Sequence, residues 1–178
     1  QWLRTNPSDE EARLLLDERR ALLCTPAKVE ARIGELVLAV VGRFLVTLGR
    51  EADVSLRGAG VSREHAMIER AADGSLTVRD NGSRNGTTLE GLPLAGTVAL
   101  AEGQLLGLGS DLVLKVREKT RSATVLEVDR GMDRGRRVAL LHGPWKFELG
   151  HLRFDDASRL VLEPDGAVEL NGQKVVMP

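Results

Sequence analysis

The stretch "GREADVSLRGAGVSREHAMIERAADGSLTVRDNGSRNGTTLEG", residues 49–91, decides how this chain is read. Apolar and polar positions alternate in it over short runs. In "SLTVRD" (75–80), Leu76 and Val78 alternate with Ser75, Thr77 and Arg79, the two-residue period of a half-buried strand. Three segments rich in hydrogen-bond donors and poor in bulk each follow a strand-like run: Gly49-Arg50, Ser62-Arg63-Glu64-His65, and Asn81 through Thr87. Loops carried on a rigid β framework are where binding residues concentrate. An Arg guanidinium presents a planar fork suited to phosphate. A Ser hydroxyl and exposed loop N–H groups add donors to an anion. An Asn side chain can hold a peptide backbone through both its C=O and its NH₂.

Outward from this stretch the same texture continues. "ELVLAVV" (35–41), "FLVTL" (44–48), "HAMIE" (65–69), "TVAL" (97–100) and "DLVLKV" (111–116) are short runs separated by Gly, Asp and Asn. Many short strands with no helix between them predict an antiparallel sandwich or barrel. The polar stretch "REKTRS", residues 117–122, reads as a linker. Strand-like runs then resume in "ATVLEV", "RRVALL", "WKFEL", "RLVLE" and "AVELNG". An internal repeat is suggested by the spacing. Six residues separate Gly42 from Gly49-Arg50, as six separate Gly143 from Gly150-His151, and "LEGLPL" (89–94) is patterned like "LNGQKV" (170–175).

Ahead of the strands, residues 8–23 read as a helix. Ser8 can cap it, Glu11 has the capping-box spacing, and Ala12, Leu15, Leu16, Leu22 and Leu23 share one apolar face. The chain begins at Gln1 rather than Met, which suggests a piece of a longer protein. Its bulk composition excludes several function classes. Aromatics are 3% with no Tyr, so platforms for stacking bases are nearly absent. Lys plus Arg is 25 against Asp plus Glu 26, a balance that argues against a dedicated nucleic-acid or anionic-membrane surface. The single Cys24 excludes an intrachain disulfide and a multi-Cys metal site. No signal-peptide pattern and no membrane-length apolar run is present. No cofactor or metal is expected.

At residues 49–87 the chain resembles the forkhead-associated (FHA) family. That family's pattern is Gly-Arg, then Ser-x-x-His, then Asn-Gly-Thr, on three loops at one end of a β-sandwich. Here the matching residues are Gly49-Arg50, Ser62 to His65, and Asn85-Gly86-Thr87, in order and at compatible spacing. "LAEGQLLGLG" (100–109) looks like the family's closing strands. The resemblance covers roughly residues 34–117 and implies recognition of phosphothreonine. It implies that Arg50 and Ser62 contact the phosphate, that Arg63 and Arg84 add ligand contacts, and that Asn85 holds the ligand backbone. Gly49, His65, Gly86 and Thr87 are then supports of the site, with Gly86 serving the turn.

The second half looks like the opening strands of another FHA domain, with departures that decide its function. His151 stands where the phosphate-binding Arg would be, and neither Ser-x-x-His nor Asn-Gly-Thr follows. An imidazole that is mostly neutral near pH 7 cannot match the guanidinium fork. The expected organisation is therefore an N-terminal helical segment (1–33), an FHA sandwich (34–117) and a degenerate FHA-like β domain (123–178). "LRFDDASRLVLEPDGAVELNGQKV" (152–175) also resembles the short N-terminal sheet of bacterial winged-helix regulators, but no recognition helix follows it. Catalysis is not expected. Ser62 and His65, three apart on one loop, make a poor nucleophile–base pair even with Asp80 nearby, and no oxyanion-hole motif accompanies them. "GSRNGT" lacks the Gly-Lys-Ser/Thr ending of a phosphate-binding Walker loop. The expected function is a bacterial, cytoplasmic module that reads a phosphothreonine made by a Ser/Thr kinase. The alternatives are a scaffold that binds independently of phosphorylation, or the regulatory part of a transcription regulator.

Overall fold

The computed structural model describes residues 11–12, 15–16, 28–33, 36–42, 45–71, 75–147, 150–154, 160–164, 168–170 and 173–175. Within the expected N-terminal helix, residues 11–12 and 15–16 are helical; the rest of 8–23 lies outside the described residues. Eighteen strands follow among the described residues. The first eleven are β1 (Lys28–Ile33), β2 (Leu36–Val41), β3 (Leu45–Gly49), β4 (Val54–Ser55), β5 (Ala66–Arg70), β6 (Leu76–Asp80), β7 (Thr87–Leu89), β8 (Leu92–Pro93), β9 (Val98–Ala99), β10 (Leu105–Leu108) and β11 (Leu112–Lys119). The remainder are β12 (Ala123–Arg130), β13 (Arg137–Leu141), β14 (Trp145–Phe147), β15 (Gly150–Phe154), β16 (Leu160–Pro164), β17 (Val168–Leu170) and β18 (Gln173–Val175). The segment 1–33, expected to be helical, thus ends in a strand. Val29, Ala31 and Ile33 alternate with Lys28, Glu30 and Arg32, a two-residue period that favours a strand over a helix.

The strands form three sheets. One has ten strands in the order β18-β17-β1-β2-β13-β12-β11-β10-β7-β8, one has five in the order β4-β3-β5-β6-β9, and one has three, β14-β15-β16. Pairing is antiparallel except at β2–β13 and β3–β4. The five-stranded sheet faces part of the ten-stranded sheet and completes the expected sandwich. Its core holds Val46, Leu48, Val54, Ile68, Leu76 and Val78 from one sheet, and Leu106, Leu108, Leu112, Leu114 and Val116 from the other.

The stretch 117–122 is not a linker. Arg117 to Lys119 are the end of β11, and residues 120–122 form a tight turn closed by Thr120, whose N–H donates to the Ala123 carbonyl at 2.8 Å. The stretch is polar because it is a solvent-facing hairpin end: Arg117 reaches across to Glu127 on β12 at 2.8 Å. The sheet therefore runs without a break from the first half of the chain into the second.

Burial on both faces explains why β12 and β13 lack the clean alternation of a half-buried strand. Leu126 and Val128 of β12, and Val138 and Leu140 of β13, enter the main core. The intervening Ala123, Val125, Ala139 and Leu141 join Leu38, Trp145 and Leu152 in a second core on the opposite face, with Phe147 and Leu162 packed against it. A strand buried on both faces loses the alternation of a half-buried one. By contrast β11, whose Leu112, Leu114 and Val116 are buried between more exposed neighbours, alternates cleanly.

Candidate functional site

The three loops singled out in the sequence meet at one end of the sandwich. Loop β3–β4 carries Arg50, loop β4–β5 carries Ser62 to His65, and loop β6–β7 carries Asn81 to Gly86. The first two are laced together by main-chain bonds. The Arg50 N–H donates to the Ser62 carbonyl and the Glu51 N–H to the Arg63 carbonyl, both at 3.0 Å. A side chain at Gly49 would collide with the backbone of Ser62 and Arg63, so this approach requires glycine. The Thr47 hydroxyl and N–H both bond the Asp53 carboxylate, which braces the β3–β4 turn.

His65 is fully buried and joins the second loop to the third. Its Nδ1 accepts from the Ser62 N–H at 2.9 Å, so the proton resides on Nε2, which donates to the Gly86 carbonyl at 3.0 Å. Gly86 has φ +75° with nothing near its missing Cβ, so the left-handed turn, and not crowding, favours glycine there. Thr87 is buried, and its hydroxyl donates to Asp80 Oδ1. Asp80 also accepts from the Ser83 N–H at 2.9 Å and the Ser83 hydroxyl at 2.6 Å. Partial burial pushes the Asp80 carboxyl upward. The bonds from Ser83 and Thr87 outweigh it and hold the group below its ordinary range, so it stays ionised and shapes the loop.

The five residues expected to touch a ligand keep free valences. Arg50 donates from Nε to the Val61 carbonyl at 2.7 Å, which leaves its two terminal NH₂ groups for a ligand. Ser62 Oγ accepts from the Arg84 N–H at 3.0 Å, and its own proton can turn outward. Asn85 anchors Nδ2 on the Gly60 carbonyl at 2.9 Å and retains Oδ1 as an acceptor. Arg63 and Arg84 are exposed. An open basin of about 760 Å³ is lined by Arg50, Ser62, Arg63 and Arg84 together with Glu51, Glu64, Asn81 and Gly82. Asn85 lies outside that lining, on the Gly60 side.

Three supports were not singled out in the sequence as parts of the site: Asp80, Gly60 and Asp111. Gly60 donates its N–H to Asp111 Oδ1 at 3.0 Å, which ties loop β4–β5 to the β10–β11 turn. The Asp80-to-Ser83 spacing, an acidic side chain capping a following turn, is the one local signal that could have found any of them. His151, read from the sequence as standing where a second site's Arg would be, is exposed on β15 opposite Lys146 and Glu163, in a sheet that carries none of the three loops.

Fold and site together define a β-sandwich binding module with a donor-rich basin at one end. Residues 40–109 match the family model of the FHA domain, and this part of the chain is an FHA domain. FHA domains are binding modules rather than catalysts. Among solved structures, the FHA domain of the CT664 protein from Chlamydia trachomatis is similar at 26% identity and TM-score 0.38, over 46% of this chain and 87% of that one. The FHA-2 domain of a Mycobacterium tuberculosis ABC transporter is similar at 26% identity and TM-score 0.39, over 48% and 73%. The N-terminal FHA domain of Rad53p from S. cerevisiae, solved with a phosphothreonine peptide, is similar at 30% identity and TM-score 0.34, over 37% and 58%. A comparison with curated proteins returns no match.

Proposed function

We propose that the chain binds phosphothreonine-containing peptides through the loops that carry Arg50, Ser62 and Asn85. The observation that carries this reading is Arg50 itself, held by its Nε on the Val61 carbonyl with both terminal NH₂ groups free at a basin bordered by two further arginines. A phosphate dianion there takes a bidentate pair from Arg50 and a third bond from the Ser62 hydroxyl. Arg63 and Arg84 supply long-range attraction and further donors. Asn85 holds the peptide backbone beside the phosphoresidue. The partner is a phosphothreonine protein in Ser/Thr kinase signalling in a bacterial cytoplasm, either the kinase or its substrate. Neither catalysis nor nucleic-acid or membrane binding is part of the reading.

Titration of the full chain with phosphothreonine peptides and their unphosphorylated twins tests it. The phosphorylated forms bind and the plain ones do not. Charge-assisted bonds are worth about 1.5–3 kcal/mol each, so Arg50→Ala weakens binding by roughly tenfold to more than a hundredfold. Equal binding of the two peptide forms rejects the reading.

A further inference from the structure

The β12–β13 hairpin belongs to the second half of the chain, yet its tip lies at the ligand end of the first sandwich. Four contacts carry it there. The Arg57 guanidinium and N–H both bind the Asp133 carboxylate, at 2.6 and 2.9 Å. Arg136 donates from Nη1 to the Ser55 carbonyl and from Nη2 to Glu30 at 2.9 Å. Arg130 Nη2 approaches the Ser110 carbonyl at 3.4 Å. Asp111, the next residue, holds Gly60, whose carbonyl in turn holds Asn85. The hairpin tip is thus continuous with the side of the site on which Asn85 stands.

Its charges are arranged to meet something. Asp133 is paired with Arg57, while Asp111 accepts the Gly60 N–H through Oδ1 and keeps its charge. Arg130 and Arg134 are exposed, and no carboxylate is recorded against either among the described residues; Asp129 is the exposed acid beside them. Met132, between the two arginines, is 70% exposed and contributes nothing to either core. Arg57 and Arg136 hold the turn in place, while Met132 and Arg134 lie outward from both cores.

We propose that the β12–β13 turn, residues 130–136, is a specificity wall of the phosphopeptide site, where Arg130 and Arg134 select acidic residues flanking the phosphothreonine on the Asn85 side. This rests on the phosphothreonine reading above and gives the second half of the chain a part in recognition. Exposed ion pairs are individually weak, so the effect is a preference, and added salt screens it.

The test uses the full chain and three peptides with one phosphothreonine core: acidic residues before it, acidic residues after it, or neutral amides on both sides. Fluorescence anisotropy at low salt reads affinity. One acidic peptide binds the wild type about fivefold tighter than the neutral one. Arg134→Glu, which leaves the Arg130 bond to Ser110 in place, reduces or inverts that preference while it binds the neutral peptide within about twofold of wild type, and adding Arg130→Glu reduces the preference further. Equal affinity of the wild type for all three peptides overturns the proposal, as does an Arg134→Glu variant that weakens all three alike. If no phosphopeptide binds, or binding ignores Arg50→Ala, the phosphothreonine reading itself falls.

Discussion

At the scale of single residues, the site separates groups that offer valences outward from groups that spend them inward. Ser62→Ala removes one donor proposed for the phosphate and the acceptor of the Arg84 N–H, an exposed bond. Its expected effect is a loss of affinity of roughly tenfold with stability within about 1 kcal/mol of wild type, read by calorimetric titration and chemical denaturation. His65→Ala has the opposite profile. It leaves the Ser62 N–H and the Gly86 carbonyl without their buried partner and opens a cavity, at a cost of about 2–4 kcal/mol in denaturation, with affinity falling as the loops loosen. The proposed ligand residues stand out in the sequence because phosphate chemistry needs particular side chains: Arg50, Ser62 and Asn85 are marked by type and order. The inward ones were legible only where a motif enclosed them, as with His65. Asp111 and Gly60 act through one bond between distant loops, and nothing local marks such a pair.

At the scale of elements, the strand pattern was readable and the pairing was not. Each run with clean alternation, such as "SLTVRD", is a strand with one buried face. The unbroken runs "ATVLEV" and "RVALL" were strands too, but their lack of alternation meant burial on both faces, and a period of two says nothing of which neighbours provide it. Hairpin β7–β8 lies at one edge of the ten-stranded sheet and hairpin β17–β18 at the other. Hairpin β12–β13 lies between β11 and β2, with β1 beyond β2 and next to β17. We propose on this ground that residues 34–117 are not a self-sufficient unit. Leu126, Val128, Val138 and Leu140 each contribute about 1.5–3 kcal/mol of burial to the main core, a sum comparable to the whole stability of a typical domain. A chain ending before residue 120 is expected to lose cooperative unfolding and to bind a hydrophobic dye. A chain ending after β13 keeps the main core complete, and melting curves of the two distinguish them.

At the scale of the molecule, one buried group sets an acid limit. His142 follows β13 and is 5% exposed, and its Nε2 has no hydrogen-bond partner among the described residues. Burial, with the Arg70 charge nearby, pushes its imidazole down to about 3. The folded state therefore holds it neutral while the unfolded chain takes up a proton below about pH 6.5. Stability from this group is complete above that value. It declines by about 1.4 kcal/mol per pH unit as pH falls toward 3. Denaturation at pH 7.5 and 4.5 should show this slope, and His142→Gln should flatten it. The parallel seam between β2 and β13 has a consequence of another kind. Val40 and Ala139 pair in register although they are about a hundred residues apart in the chain. As the polypeptide leaves the ribosome, the ligand loops are synthesised well before the strands that seal the core beneath them. On the seam side β2 waits unpaired until β13 emerges, and a closure of such long range belongs to the slow class of folding events.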